Sequence, residues 1–219
     1  MVYDLHTHTF LSDGVLSPVE LIRRAAVAGY TGLAITDHAG PGTMERCIAE
    51  AARDCELARR HWRIVAVPGI ELTHCPPESI PELARAAKEM GAKIVVVHGE
   101  TVVEPVPAGT NLAAACREVD VLAHPGLLTP EAAERLVAEG VLLEITARKG
   151  HCLTNGLVAR LAREAGCKMV VNSDTHSPAD LLSEGFARMV AAGAGLAAQE
   201  QEQALVINPR ELLARLGFG

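Results

Sequence analysis

Several features that would assign the chain to a familiar class are missing from its sequence. Phe, Trp and Tyr together make up only 3% of the 219 residues, so a packed core has to be built from aliphatic side chains. No apolar run approaches the roughly 20 residues that a membrane helix requires, and no secretory signal is visible. Lys and Arg never form a run of five or more, and the net charge is −7, so a basic face for a nucleic-acid backbone is lacking. We therefore expect a soluble, cytoplasmic protein that makes no contact with membranes. Any contact with nucleic acid would have to depend on a local site.

The six cysteines do not form a C-x-x-C pair. They lie mostly in apolar or helical surroundings, which is typical of buried thiols. We expect them to be reduced and to pack as small hydrophobic side chains, as in a protein of the cell interior.

Short apolar segments alternate with longer helical patterns along the chain. Strands are predicted at residues 2–6, 32–38, 63–71, 92–100, 119–125, 141–146 and 168–174. Helices are predicted at residues 17–29, 43–62, 78–90, 110–117, 129–139, 155–165 and 178–192, with a closing helix in residues 205–219. This alternation is typical of parallel strands wrapped by helices.

Seven such units without a linker favour a single domain over residues 1–219, with an α/β fold in the form of a TIM-like barrel. An open, doubly wound sheet is the alternative. The first strand-to-helix connection, THTFLSDGVLS, lacks the G-x-G-x-x-G fingerprint of a dinucleotide-binding fold, so the barrel is preferred.

Every predicted strand ends in at least one side chain that can bind a metal ion. In chain order these side chains are His6, His8, Asp37, His38, Glu71, His98, Glu100, His124, Glu144, Asp174 and His176. The carboxyl ends of the strands form one face of a parallel α/β fold, so these groups should converge there. Buried imidazoles and carboxylates without partners are costly, and divalent cations satisfy them together. The set contains no thiolate and is too large for one ion, so we expect two to three ions of zinc, manganese or iron.

The first and last strands carry the same spacing of possible ligands. His6 and His8 are two residues apart and share a face of the first strand, and Asp174 and His176 repeat this on the last strand. Closure of a barrel places these two strands side by side. Clustered ions hold a hydroxide at neutral pH and clamp the oxygens of a phosphoryl group, so a polynuclear hydrolytic site is expected.

The ordered motifs DLHTHTFLSDG, ITDH, GIE, VVHGE, LAHPG and NSDTH resemble those of the PHP superfamily, which is named for its polymerase and histidinol phosphatase members. The resemblance extends over nearly the whole chain. It implies a distorted seven-stranded β/α barrel with a trinuclear metal centre, in which a metal-bridging hydroxide hydrolyses phosphoesters.

The resemblance also implies a set of ligands and catalytic groups. A first ion would be held by His6, His8, Glu71 and Asp174, a second by Glu71, His98 and His124, and a third by His38, His176 and Asp13. The catalytic candidates are Asp13, Asp37 and His176. Asp37 would point away from the neighbouring His38, and would either support the ligands from behind or donate a proton near the rim.

Substrate-binding residues are predicted in the connections beyond the strand ends. Arg148 and Lys149 could bind the phosphate, or they could be solvated loop charges. His151 and His74 could line the rim of the pocket or simply be exposed. Glu100 and Glu144 could orient ligand histidines or bind a cationic group of the substrate.

These observations predict a metal-dependent phosphoesterase that hydrolyses a phosphate monoester of a small molecule, with histidinol phosphate as the candidate that the resemblance names. An amidohydrolase also places H-x-H after its first strand, but commonly uses a lysine on its fourth strand, which here ends in His98 and has Lys93 at the opposite end. A nuclease acting on short or single-stranded substrates is a further alternative. A non-catalytic scaffold, such as the PHP-like subunit of ribonuclease P, is less favoured because the ligand set is intact.

Overall fold

The computed structural model describes residues 1–218, in which helices and strands alternate. The strands are β1 (Val2–Asp4), β2 (Tyr30–Ile35), β3 (His38–Ala39), β4 (Val65–Leu72), β5 (Ile94–His98), β6 (Val121–Ala123), β7 (Leu142–Thr146) and β8 (Met169–Asn172). The helices are α1 (Pro18–Val27), α2 (Met44–His61), α3 (Ile80–Glu89), α4 (Thr110–Ala113), α5 (Pro130–Glu139), α6 (Asn155–Ala165), α7 (Glu184–Gly193), α8 (Ala198–Glu202) and α9 (Asn208–Arg215). Short 3-10 turns lie at Pro77–Ser79, His151–Thr154 and Pro178–Asp180, and a π-helical segment, Gln203–Ile207, joins α8 to α9.

Seven strands follow one another in the order β1-β2-β4-β5-β6-β7-β8, and every neighbouring pair is parallel. This arrangement confirms the predicted seven-stranded, TIM-like α/β barrel in a single domain. The eighth strand, β3, pairs with β4 through His38 and Glu71. The predicted strand 32–38 is thus split into β2 and β3, because Thr36 and Asp37 leave the regular ladder between them.

The barrel closes just beyond the ends of β1 and β8. An isolated parallel bridge joins Thr7 to Thr175. The Asp174 N–H donates to the carbonyl oxygen of His6 at 3.0 Å, and the His8 N–H donates to that of Thr175 at 2.8 Å. These bonds bring the two predicted pairs of ligands, from the first and last strands, into contact.

The core is aliphatic, as the shortage of aromatic residues predicts. Leu33, Ile70, Val96, Leu122 and Leu143 come from five different strands, and all are fully buried. Since both faces of a barrel strand are covered, such strands are apolar over most of their length. All six cysteines are free, and four of them are buried, whereas two are partly exposed. Among residues 1–218, no helix has both the length and the apolar character needed to cross a membrane.

Three of the helices predicted from the sequence begin or end at other residues in the structure. The helix predicted at 110–117 ends at Ala113, after which the chain turns towards β6. The Ser-Pro signal at residue 177 opens only a 3-10 turn, and α7 begins later, where Ser183 caps its N-terminus by accepting from the Phe186 N–H. The closing helix predicted in 205–219 starts earlier, with α8, and its last residue, Gly219, lies outside the described residues.

Candidate metal centre

The mouth of the barrel at the strand C-termini brings all nine predicted ligands together. Among these nine, ligand atoms within 4.8 Å of one another are offered by four overlapping groups: His6, His8 and Glu71; Glu71, His98 and His124; His6, His124 and Asp174; and His8, Asp13, His38 and His176. Because the groups share members, the nine side chains form one continuous cluster.

The innermost part of the cluster is completely enclosed. His6 Nε2 lies 3.1 Å from Glu71 Oε1, and His8 Nε2 lies 3.2 Å from Asp174 Oδ1. The two Nε2 atoms are 3.0 Å apart. All four side chains are buried. Two imidazoles and two carboxylates thus point at the same small volume.

Glu71 also connects this inner part with His124 and His98. His124 Nε2 is 3.7 Å from Glu71 Oε1 and 3.6 Å from Asp174 Oδ2. Glu71, His98 and His124 offer ligand atoms that are close enough to share an ion. The position of Glu71 between two groups is the one that a bridging ligand needs.

The outer part of the cluster faces solvent. Asp13 Oδ1 is 3.2 Å from His176 Nε2 and 3.6 Å from His38 Nε2, and the Asp13 side chain is 56% exposed. Partial burial raises the pKa of Asp13, but the contact with His176 and the charge of His38 outweigh it and hold that pKa below its usual value. Asp13 is therefore a carboxylate at neutral pH, which suits a ligand better than a proton donor.

Hydrogen bonds at Nδ1 direct the other ring nitrogen of several histidines into the cluster. Glu144 Oε2 accepts from His6 Nδ1 at 2.8 Å. His176 Nδ1 donates to the carbonyl oxygen of Asp174 at 2.9 Å, and His98 Nδ1 donates to the carbonyl oxygen of the next residue at 3.2 Å. With the proton assigned to Nδ1 in this way, the lone pair is on Nε2, the atom that faces the cluster.

Two buried carboxylate oxygens in the cluster have no hydrogen-bond donor, as expected where cations bind. Among residues 1–218, Glu71 Oε1 and Asp174 Oδ1 are buried and accept no hydrogen bond. Burial raises the pKa of Asp174 to about 7. Burial also raises the pKa of Glu71, but the charges of His6 and His38 outweigh it and hold that pKa well below its usual range. Divalent cations between these oxygens and the Nε2 atoms would satisfy both, so the donor set fits a polynuclear centre.

Backbone strain is concentrated at the same place. His74, His124 and Asp174 have φ values of 53°, 26° and 56°, and they are the only residues other than glycine with positive φ in the described part of the chain. Non-glycine residues occupy this region at a cost, and such residues cluster at functional sites. Two of the three are predicted ligands, and the third, His74, lies beside them.

Glu104, which is not among the residues predicted from the sequence, reaches the cluster from the connection between β5 and α4. Its Oε2 is 3.1 Å from His98 Nε2 and 3.3 Å from His74 Nε2, and its Oε1 is 3.4 Å from His151 Nε2. The bond from His98 lowers the pKa of Glu104 to about 2. The two loop histidines, His74 and His151, therefore meet at one carboxylate beside the cluster that no motif in the sequence indicates, and His74 is exposed whereas His151 is buried.

The predicted role of Asp37 as a proton donor near the rim is wrong. Its carboxylate accepts from the N–H and hydroxyl groups of Thr9 at 2.7 and 2.8 Å and from those of Ser12 at 3.1 and 2.7 Å. The side chain is buried under the connection that follows β1. Asp37 therefore shapes the segment that presents Asp13, and it does not meet the substrate.

Glu144 and Glu100, predicted as possible substrate ligands, are also used inside the fold. Glu144 is fully buried behind His6 and accepts from Asn172 Nδ2 at 2.8 Å, so it orients a ligand and cannot contact the substrate. Glu100 Oε1 accepts from the N–H groups of Gly109 and Asn111 at 3.0 and 2.8 Å, which fixes the connection that carries Glu104.

Arg148 and Lys149 follow β7 at the same end of the barrel. Arg148 Nη1 lies 3.5 Å from Asp180 Oδ2, and neither cation forms an ion pair with Glu71, Asp13 or Asp174 in the described structure. Both side chains line a cavity beside the cluster.

Comparisons with known proteins agree with this geometry. A model of the PHP domain matches residues 4–106. An uncharacterized protein of Methanocaldococcus jannaschii is 50% identical over 218 residues, which cover 99% of this chain and 100% of that protein. A 3′,5′-nucleoside bisphosphate phosphatase of Chromobacterium violaceum is 48% identical over 50 residues, which cover 23% of this chain and only 18% of that protein.

Two solved structures share the fold at low identity. A chain in a structure of archaeal ribonuclease P with mature tRNA superimposes with a TM-score of 0.69 at 11% identity, covering 98% of this chain and 91% of that one. A chain from the structures of YwqE of Bacillus subtilis and CpsB of Streptococcus pneumoniae, described as metal-dependent tyrosine phosphatases, gives a TM-score of 0.62 at 17% identity, covering 97% and 94%. With the ordered motifs and the clustered side chains, the match over residues 4–106 shows that the chain carries a PHP domain, and the two solved structures show that the chain as a whole shares their barrel fold.

Proposed function

We propose that this protein is a metal-dependent phosphoesterase that releases phosphate from a monoester of a small molecule. The observation that carries the proposal is the convergence of nine imidazoles and carboxylates at one barrel mouth, including buried carboxylate oxygens without partners. A centre of this composition suits two to three ions of zinc, manganese or iron.

The ligands fall into three sets in this proposal. His6, His8, Glu71 and Asp174 would hold one ion, Glu71, His98 and His124 a second, and His38, His176 and Asp13 a third. Bound ions would supply an activated water and would neutralise the charge that develops on the phosphoryl oxygens. The chain's own part is to keep the ligands oriented, which Glu144 does for His6, and to order the segment of Asp13, which Asp37 does.

The solvent-facing position of Asp13 and His176 also supports a role close to the reacting phosphate. Both belong to the outer part of the cluster, next to the mouth of the barrel. A substrate entering from solvent would meet these two side chains before the enclosed pair of His6 and His8. The short match to a nucleoside bisphosphate phosphatase is consistent with phosphomonoesters as substrates.

Three alternatives receive less support. An amidohydrolase would place its lysine at the mouth, whereas Lys93 is exposed and directly precedes β5, at the end opposite His98. A non-catalytic scaffold is compatible with the likeness to a ribonuclease P chain, but it would not require an intact set of nine ligands. A nuclease on the same centre would need contacts to a polyanion, which the net charge of −7 does not favour.

The experiment is metal analysis followed by a substrate panel. Purified protein should contain more than one transition-metal ion per chain, and exhaustive chelation should remove its activity. The panel consists of p-nitrophenyl phosphate, histidinol phosphate, a phosphodiester and an N-acyl amino acid. Release of phosphate from monoesters alone supports the proposal. Turnover of the diester or of the N-acyl compound alone, or full activity after chelation, would overturn it.

A further inference from the structure

A further group of metal-binding side chains adjoins the nine predicted ligands. Glu104 Oε2 lies 3.1 Å from His98 Nε2 and 3.3 Å from His74 Nε2. These three side chains, which we call the loop set, offer ligand atoms that all lie within 4.8 Å of one another. His98 also belongs to the group of Glu71, His98 and His124, which we call the buried set. Neither His74 nor Glu104 is among the nine ligands that the motifs predict.

The contact between His98 and Glu104 requires a cation. His98 Nδ1 donates to the carbonyl oxygen of Gly99 at 3.2 Å, so the lone pair of the ring is on Nε2. That atom faces the carboxylate of Glu104, and two acceptors repel each other unless a proton or a metal ion lies between them. Nitrogen and oxygen ligands of tetrahedral zinc, at about 2.0–2.1 Å from the metal, lie roughly 3.3 Å apart. The two distances to Glu104 Oε2 therefore suit ligands that share one ion.

Glu104 is held in place by the connection that carries it. Glu100 Oε1 accepts from the N–H of Gly109 at 3.0 Å and so closes this connection into a loop that contains Glu104. His151 Nε2 lies 3.4 Å from Glu104 Oε1, and Nδ1 of the same ring is 2.8 Å from the Thr101 hydroxyl oxygen. The carboxylate is therefore presented to His98 by contacts on both sides.

The loop set reaches solvent, whereas Glu71 and His124 of the buried set are enclosed. The side chains of His74 and Glu104 are 41% and 37% exposed, and that of His98 is 2% exposed. His98 thus lies between an exposed pair of ligands and a buried pair. Because its Nε2 has a single lone pair, His98 can bind an ion of only one set at a time. The two sets are therefore alternative positions of one ion.

We propose that the loop set is an entry site for a divalent transition-metal ion, which then passes to the buried set while it remains bound to His98. The step is an exchange of ligands, in which the bonds to His74 and Glu104 break as those to Glu71 and His124 form. A role as ligand also accounts for the costly positive φ of His74, 53°. The inference rests on the metal centre of the proposed function and not on the reaction at that centre.

Metal uptake by the chelated protein tests the inference. Cobalt(II) is added, its visible absorption is followed with time, and the bound ions are counted at the end. In Glu104→Gln and in His74→Asn we expect at least one phase of uptake to be at least about tenfold slower than in the wild type, because each change removes a ligand of the entry site. The final number of bound ions should equal that of the wild type. Glu131→Gln and His61→Asn, exposed positions that belong to neither set, are the matched controls and should load at the wild-type rate.

A variant with an incomplete buried set should hold the ion at the entry site. His124→Asn removes one ligand of the buried set, and asparagine tolerates the positive φ of this position, 26°. We expect this variant to keep an ion on the loop set. Addition of Glu104→Gln to it should then lower the number of bound ions by about one per chain.

The outcomes separate this inference from the proposed function. Wild-type uptake rates in Glu104→Gln and His74→Asn, or equal numbers of ions in His124→Asn with and without Glu104→Gln, would overturn the entry site and leave the metal centre standing. A lower final number of ions in the single variant Glu104→Gln would also overturn the transfer, since Glu104 would then be a permanent ligand. If the wild-type protein binds no cobalt, the metal centre of the proposed function fails, and the entry site fails with it.

Discussion

Glu71 occupies the point at which the groups of ligands meet. Its Oε1 faces His6 and His124, and its Oε2 lies 2.5 Å from His38 Nδ1. The side chain is completely buried, and the Thr73 hydroxyl donates to its Oε2 at 3.1 Å, whereas its Oε1 accepts no hydrogen bond among the described residues. A residue in this position holds the cluster together electrostatically whether or not the ions are bound, and its removal should affect several ligands at once.

Glu71→Gln should lower kcat for phosphomonoesters by at least about 100-fold, because the amide keeps the shape of the side chain but removes the charge that a bridging ligand supplies. Metal content, measured on the same preparation, should fall by at least one ion per chain. Glu78→Gln, an exposed position on the connection after β4, is the control and should behave as the wild type. Wild-type turnover by Glu71→Gln would contradict the bridging role.

Asp4 is a buried carboxyl group just below the cluster. Burial raises its pKa to about 7, and its Oδ2 accepts no hydrogen bond among the described residues. The Ser173 N–H donates to its Oδ1 at 3.1 Å, a bond that an asparagine oxygen can also accept. Since the pKa is raised on folding, Asp4 favours the folded state fully only below about pH 4. That contribution is lost as the pH rises through about 7.

Asp4→Asn should therefore gain stability relative to the wild type as the pH rises from 4 to 8. The gain is at most a few kcal/mol, because one pKa unit corresponds to about 1.4 kcal/mol. Urea unfolding of metal-free protein at several pH values measures it. A difference between the two proteins that stays constant with pH would show that Asp4 does not titrate in this range.

At the scale of elements, the connections after the strands decide where the ligands point. Gly126, two residues after His124, has φ of +62°, and a Cβ there would lie 1.7 Å from the carbonyl oxygen of Glu100. The connections after β5 and β6 therefore touch through backbone alone. Gly156, in the first turn of α6, offers a contrast, because a Cβ added there would meet no atom within 4 Å.

Gly126→Ala should destabilise the protein by roughly 3 kcal/mol or more, because both the backbone conformation and the clash oppose the methyl group. Metal affinity should fall as His124 shifts. Gly156→Ala should change the free energy of unfolding by less than about 1 kcal/mol. Denaturant titration of both variants makes the comparison, and equal stabilities would refute the close approach of the two connections.

At the scale of the whole molecule, the candidate ligands lie just beyond β1 and β8 as well as at the ends of the strands between them. The closure between β1 and β8 consists of a single bridge and a few hydrogen bonds, one of them from the Leu5 N–H to Asn172 Oδ1 at 2.9 Å. Ions that bind His6 and His8 together with Asp174 would tie the two sides of this closure to each other. Metal binding should thus stabilise the entire barrel.

Loading the chelated protein with zinc or manganese should raise Tm by roughly 5–10 °C at metal concentrations about 100 times Kd, and by more at higher concentrations. Calorimetry across a range of metal concentrations provides the measurement. Glu71→Gln should show a smaller increase. A Tm that does not depend on metal would mean that the cluster does not bind ions in the folded state.

The sequence alone predicted the barrel and the side chains that meet at its mouth. Strand and helix periodicities repeat seven times, and a parallel barrel places the end of each strand at one mouth, so His98 or Asp174 could be assigned from position and motif. The bounds of α4 and α7 were less predictable, since local signals such as Ser177-Pro178 specify a turn but not how far the helix continues.

Only the tertiary structure decided what the connections do. Glu104 meets His74, His98 and His151, which lie in three different segments, and Asp37 turns away from the cluster to hold Thr9 and Ser12. The physical reason is that these contacts join segments that are far apart in the sequence. Periodicity records which face of an element is buried, whereas the partner of a polar side chain in a loop depends on how distant segments pack together.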